Sequence, residues 1–161
     1  ICAFSIKLFK LPIAYEMSAC LTPDSNLMFW LKSFKEFLLL DQYLDHKSTE
    51  LVEFNQKLSN TSPCNQRRLT NIGTFRAYVE LYLNQHPNIS KHQSLIVRQL
   101  QPTEKGLPLE IYAFSNQIAW KDYEAIQSDI FDHLIAILPE FGLKIYQAPS
   151  GYDMQIALSN P

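Results

Sequence analysis

A chain of 161 residues, 47% apolar and 19% charged, holds enough hydrophobic material for one packed domain with an appendage and is not disordered in composition. Its formal net charge of −2 gives no concentrated positive field, which argues against a nucleic-acid-binding module. Cys2, Cys20 and Cys64 are odd in number and lack paired-ligand spacing, so they fit a reducing compartment better than a disulfide scaffold.

The chain starts at Ile1, not Met, and reads as part of a longer polypeptide. Residues 3–9 alternate, with Phe4, Ile6 and Leu8 against Ser5 and Lys7, the period of a half-buried strand. Pro12 stops that strand or confines it to an edge, and residues 13–17 are a weaker candidate for its extension. Thr22-Pro23-Asp24-Ser25 is turn chemistry with a helix cap in Asp24 or Ser25. Leu27, Trp30, Leu31, Phe34 and Leu38, then Leu40, Leu44, Leu51, Phe54 and Leu58, carry helical spacing. Residues 26–58 are therefore expected to be helical, an insertion over about 24–60 that packs outside the core. The window 27–44 holds Lys32, Lys35, Glu36 and Asp41, too many charges for a membrane-spanning helix. Residues 59–66 read as a loop.

From Thr70 the pattern sharpens. Phe75, Tyr78, Val79, Tyr82 and Leu83 form one apolar stripe, with Thr70 or Asn71 as cap and Pro87 as the stop. Residues 94–101 and 108–114 alternate around the turn Pro102-Thr103-Glu104-Lys105-Gly106, which predicts a hairpin. Ser115 or Asn116 is the expected cap of a second helix with Tyr123, Ile126, Gln127, Ile130, Leu134 and Ile137 on one arc. Pro139 should bend its last turn, and Gly142 should close it in the left-handed region. Residues 143–147 are expected to be a last short strand. With the insertion set aside this is βαββαβ, an α+β, ferredoxin-like pattern over residues 1–151. Two helices should cover one face of a four-stranded antiparallel sheet, the first and last strands central and 108–114 beside an edge.

Few residues suggest chemistry. None of the four glycines, Gly73, Gly106, Gly142 and Gly151, stands in a phosphate-binding pattern. Asp129, Asp132 and His133 are the best metal candidates, since Asp129 and His133 are helical neighbours, but the same residues serve as ordinary boundary positions beside the apolar stripe, and no metal or cofactor is assigned. His46, His86 and His92 supply no second pair, and Cys64 has no nucleophile motif around it. Tyr112 and Phe114 share a strand face where bases stack in some sheets of this type, yet the edge-adjacent position and the acidic balance speak against RNA. Arg67, Arg68, Arg76 and Arg98 read as surface or interface charges. The residues alone thus describe a non-enzymatic α+β domain. A small-molecule regulatory module is the alternative that fold analogy allows.

Three phrases go further: RRLTNIGTFRAYVELYLNQHP, VRQLQPTEKGLPLEIYAFSN and IQSDIFDHLIAILPEFGLKIYQAPSG. They resemble the soluble cytoplasmic end of small-conductance mechanosensitive channels, most of all the miniconductance-type branch, over about residues 38–151. The resemblance implies a domain that helps close a cytoplasmic cage in a homo-heptamer at the inner membrane. It further implies a whole protein that opens under membrane tension on osmotic downshock, with its pore outside residues 1–161. After Gly151, Tyr152, Met154, Ile156 and Leu158 alternate with Asp153, Gln155 and Ala157. They are expected to form a strand over 152–158, paired either with a sheet edge of its own domain or with the same segment of neighbouring subunits. Chain ends in that family can close into a barrel, so the resemblance makes these four residues a candidate subunit interface within the tail 152–161.

Overall fold

Thr70 sets the start of the helix around which the domain is packed. In the computed structural model, which describes residues 5–13, 39–59 and 62–159, its side chain accepts from the backbone N–H of Gly73 at 3.2 Å. One of the free donors of the first turn is thereby satisfied. The first elements are β1 (Ser5–Ile13) and α1 (Asp41–Gln56). Helix α2 (Asn71–Gln85) follows and ends before Pro87 as expected. Phe75, Tyr78, Val79 and Leu83 of its stripe are buried.

The hairpin pairs β2 (Ile96–Gln99) with β3 (Leu107–Phe114). Its turn closes tightly. Thr103 N–H donates to Gly106 O at 2.9 Å and Gly106 N–H to Thr103 O at 3.0 Å. Gly106 sits at φ 102°, a conformation cheap only for glycine. Both strands run antiparallel to β3 in the order β1-β3-β2. This corrects the expected placement of the first and last strands at the centre. The crossover from β1 through α2 to β2 skips one position, and the hairpin returns β3 into that slot, so β3 has both edges paired. Leu109, Ile111 and Ala113 alternate into the core, as the period of two requires.

Helix α3 (Trp120–Ile137) buries Tyr123, Ile126, Ile130 and Leu134. Its N-cap is Ala119, not Ser115 or Asn116. Those two are engaged elsewhere: Ser115 Oγ accepts from Gln117 N–H at 3.0 Å, and Asn116 N–H donates to Asn88 O at 2.9 Å. Pro139 opens a 3₁₀ turn, Leu138–Phe141, and Gly142 follows at φ 63°. Gly142 N–H donates to Pro139 O at 2.8 Å and Leu143 N–H to Leu138 O at 3.2 Å, the two bonds of a Schellman closure. That closure commits the Leu143 amide. Residues 143–147 are not a regular strand, with only Ile145 in a bridge, although Leu143 is buried and Ile145 packs on the core.

Two further expectations are revised. Residues 26–38 of the expected helical insertion lie outside the described residues. The described part, α1, does not stand clear of the core: Leu40 and Leu44 are buried within it. Its far end is fastened through Asn55, whose side chain donates to Arg67 O at 3.0 Å and accepts from Arg67 N–H at 2.9 Å. Arg67 also reaches Glu50 at 3.0 Å and lies over the Phe54 ring. The tail is helix α4 (Gly151–Ser159), not a strand. Ser150 and Asp153 form a reciprocal capping box. Ser150 N–H donates to Asp153 Oδ2 at 2.7 Å, and Asp153 N–H donates to Ser150 Oγ at 3.3 Å. This local pairing overrides the apolar alternation.

Candidate functional site

Two regions gather the side chains that sequence reading singled out. The first lies between α2 and α3. Tyr78, Tyr82 and His86 recur every four residues on α2 and its C-cap, while Asp129 and His133 are i, i+4 on α3, so each set shares a helix face. The Tyr82 ring lies flat on His133 with centroids 4.2 Å apart. The Tyr78 hydroxyl and His133 Nε2 are 2.7 Å apart, and Tyr78 also meets the Phe141 ring at 5.4 Å. Burial raises the Tyr78 and Tyr82 pKa, helped by Tyr82 and Asp129 respectively. Both phenols therefore stay protonated and serve as hydrogen-bonding pins rather than bases. His133 is half-buried in this stack and is not a plain boundary residue. Asp129 and Asp132 are exposed and do fit that description. Among the described residues no three His, Cys, Asp or Glu side chains converge as metal ligands.

The second region is the sheet face turned away from the helices. Ile96, Arg98, Glu110 and Tyr112 line a shallow depression of about 350 Å³, with Phe114 edge-on to Tyr112 at 5.1 Å. Arg98 Nε is paired with Glu110, whose side chain is 7% exposed while that of Arg98 is 62% exposed. The pair neutralises the one basic group sequence reading placed on this strand. Tyr112 and Phe114 thus lie on the central strand of the described sheet, next to the edge strand β2, and beside a buried carboxylate rather than a cationic track. Arg67 and Arg76 are likewise paired, with Glu50 and with Glu80 at 3.6 Å. Cys64, His46 and His92 are exposed and apart from both regions.

Of the tail residues, Tyr152 and Met154 are exposed, at 70% and 62%. Ile156 and Leu158 belong to the same helix. A helix turns about 100° per residue, so Tyr152 and Met154 fall on two faces instead of one. Sequence reading missed the Ser150–Asp153 box and Lys91. The Lys91 Nζ donates to the carbonyls of Leu83, Asn84 and His86 at the end of α2. The S-x-x-D spacing could have revealed the box. Lys91 has no local signal, because it acts across a turn.

No helix among the described residues is long and apolar enough to cross a membrane. Residues 78–145, from the ring stack through the hairpin to the end of the Schellman closure, match the family model described as the C-terminal part of the mechanosensitive ion channel MscS. The low conductance mechanosensitive channel YnaI of Escherichia coli (strain K12) is 25% identical over 88 residues, 55% of this chain and 26% of that protein. The chain thus spans about a quarter of the curated relative it matches. Over residues 78–145, the chain is similar to the C-terminal domain of the small-conductance mechanosensitive channel family.

Proposed function

We propose that the chain is a membrane-external, non-catalytic domain of a mechanosensitive ion channel. In this reading it stands on the cytoplasmic side of a bacterial inner membrane, forms part of a cage below the pore and supports assembly of a homo-oligomer, a heptamer by resemblance. The whole protein opens under membrane tension during osmotic downshock. The observation that carries this is the family match over residues 78–145. It falls on the compact α2–β2–β3–α3 unit and includes no spanning helix. The strand order β1-β3-β2 supports a ferredoxin-like unit, in which residues 143–147 would lie on the free side of β1. Tyr152, Met154, Ile156 and Leu158 remain the proposed subunit contact, now as helix residues.

The test is pressure-clamp recording from spheroplasts lacking other tension-gated channels and expressing the complete gene. Pressure-activated currents and survival of osmotic downshock are expected. The gene should also encode, upstream of Ile1, apolar segments of about 20 residues able to span the bilayer. A full-length protein that inserts in the membrane yet passes no current under tension would defeat the reading.

A further inference from the structure

The end of α2 is joined to the chain entering α3 through His86. The His86 Nδ1 accepts from the backbone N–H of Asn88 at 3.3 Å. The His86 carbonyl accepts from Ile89 N–H at 3.3 Å and from Lys91 Nζ at 3.0 Å. The carbonyl of Asn88 then takes the Asn116 N–H at 2.9 Å, and Ile89 forms a bridge with Ser115. Asn116 donates its side-chain amide to Pro87 O at 3.3 Å. Residues 86–90 are therefore bonded across to 114–116, where β3 ends.

The His86 ring stands edge-on to Tyr82 at 5.8 Å, and Tyr82 separates it from His133. The titratable and charged groups facing it are Tyr82 from α2, Asp129 and His133 from α3, and Lys91 from the loop. Asp129 is the one anion in that set. A ring nitrogen that accepts a hydrogen bond must be unprotonated. A helix C-terminus favours a cation, but here Lys91 already occupies the carbonyls with its ammonium.

We propose that residues 86–90 form an acid-sensitive joint. A proton added at His86 Nδ1 removes the acceptor for Asn88 and sets a second cation beside Lys91, loosening the tie between α2 and the segment leading into α3. Burial holds the His86 pKa below the ordinary imidazole value. Lys91 and His133 act in the same direction, and Asp129 opposes them. The unfolded chain therefore takes the proton first. The joint contributes its full stability above the ordinary value of about 6.5. That contribution is lost as pH falls from there through the lower folded value.

The experiment compares thermal unfolding of the 161-residue chain at about pH 7.5 and about pH 5, either side of the imidazole range. It uses the wild type, His86→Asn and His133→Gln. Asparagine supplies a non-titrating side-chain oxygen to the N–H two residues on. Between the two pH values the wild-type Tm should fall by about 2–4 °C more than that of H86N. H133Q should keep the wild-type slope, and the protection of the Asn88 and Ile89 amides, corrected for intrinsic exchange, should fall with acid in the wild type and in H133Q but not in H86N. An H86N slope equal to wild type, or a slope flattened by H133Q instead, would overturn the proposal. If H86N does not fold, NMR titration of the wild-type ring decides: a His86 pKa at or above the ordinary value counts against the joint.

Discussion

Thr70, Tyr78 and His133 each do a job that one substitution can expose. Thr70 accepts the Gly73 N–H and so caps α2. Thr70→Ala should cost about 1 kcal/mol in urea unfolding, and Thr70→Ser should restore most of it. The Tyr78–His133 contact pins α2 to α3 at 2.7 Å within a ring stack. In a double-mutant cycle, Tyr78→Phe and His133→Gln should couple by about 0.5–3 kcal/mol, as groups in direct contact do. Asp129→Asn, at an exposed position, should stay within about 0.5 kcal/mol. Additive losses for the pair would return His133 to the plain boundary role that its helical spacing suggests.

At the scale of elements, local chemistry decides the outcomes that hydrophobic period leaves open. The stripe of α2, the arc of α3 and the alternation of β3 were readable because burial is periodic on one face. The docking of α1, the N-cap of α3 and the fate of residues 143–147 were not, because Asn55 and Asn116 are committed to partners distant in sequence, Ser115 to the amide two residues on, and the Leu143 amide to a closure. Residues 152–158 show the limit most plainly: four alternating apolar residues suggest a strand, but the Ser150–Asp153 box starts a helix. The Ser150 hydroxyl and then its backbone N–H hold the Asp153 carboxyl below its ordinary pKa. The capped tail is therefore fully supported above the ordinary carboxylate value and loses that support as pH falls through the depressed one. Circular dichroism should show the wild-type tail losing helix on such acidification, while Ser150→Ala, which keeps only the backbone bond to Asp153, shows a smaller acid-dependent loss. At the other closure, Gly142→Ala should cost about 1 kcal/mol or more, measured by denaturant midpoint, since φ 63° suits glycine.

For the whole molecule, the proposed subunit contact rests on the resemblance of family phrases, because such a contact would need no local catalytic pattern. Deleting residues 152–161 from the full-length protein should reduce the size or lower the melting temperature of its oligomer. Light scattering after size exclusion checks this, and an unchanged particle would remove the tail from the interface. The position of β1 has a consequence for how the chain reaches this state. It pairs with β3, yet α1, α2 and β2 are all synthesised between the two strands. The segment from Asn71 to Leu143 closes through neighbours in sequence, whereas β1 must wait for a distant partner and a long loop closure. On the ribosome, β1 therefore emerges before β3 and pairs with it late. During that interval its backbone edge is open to any other extended chain, so of the three described strands β1 is the one whose misassociation translation speed would most affect.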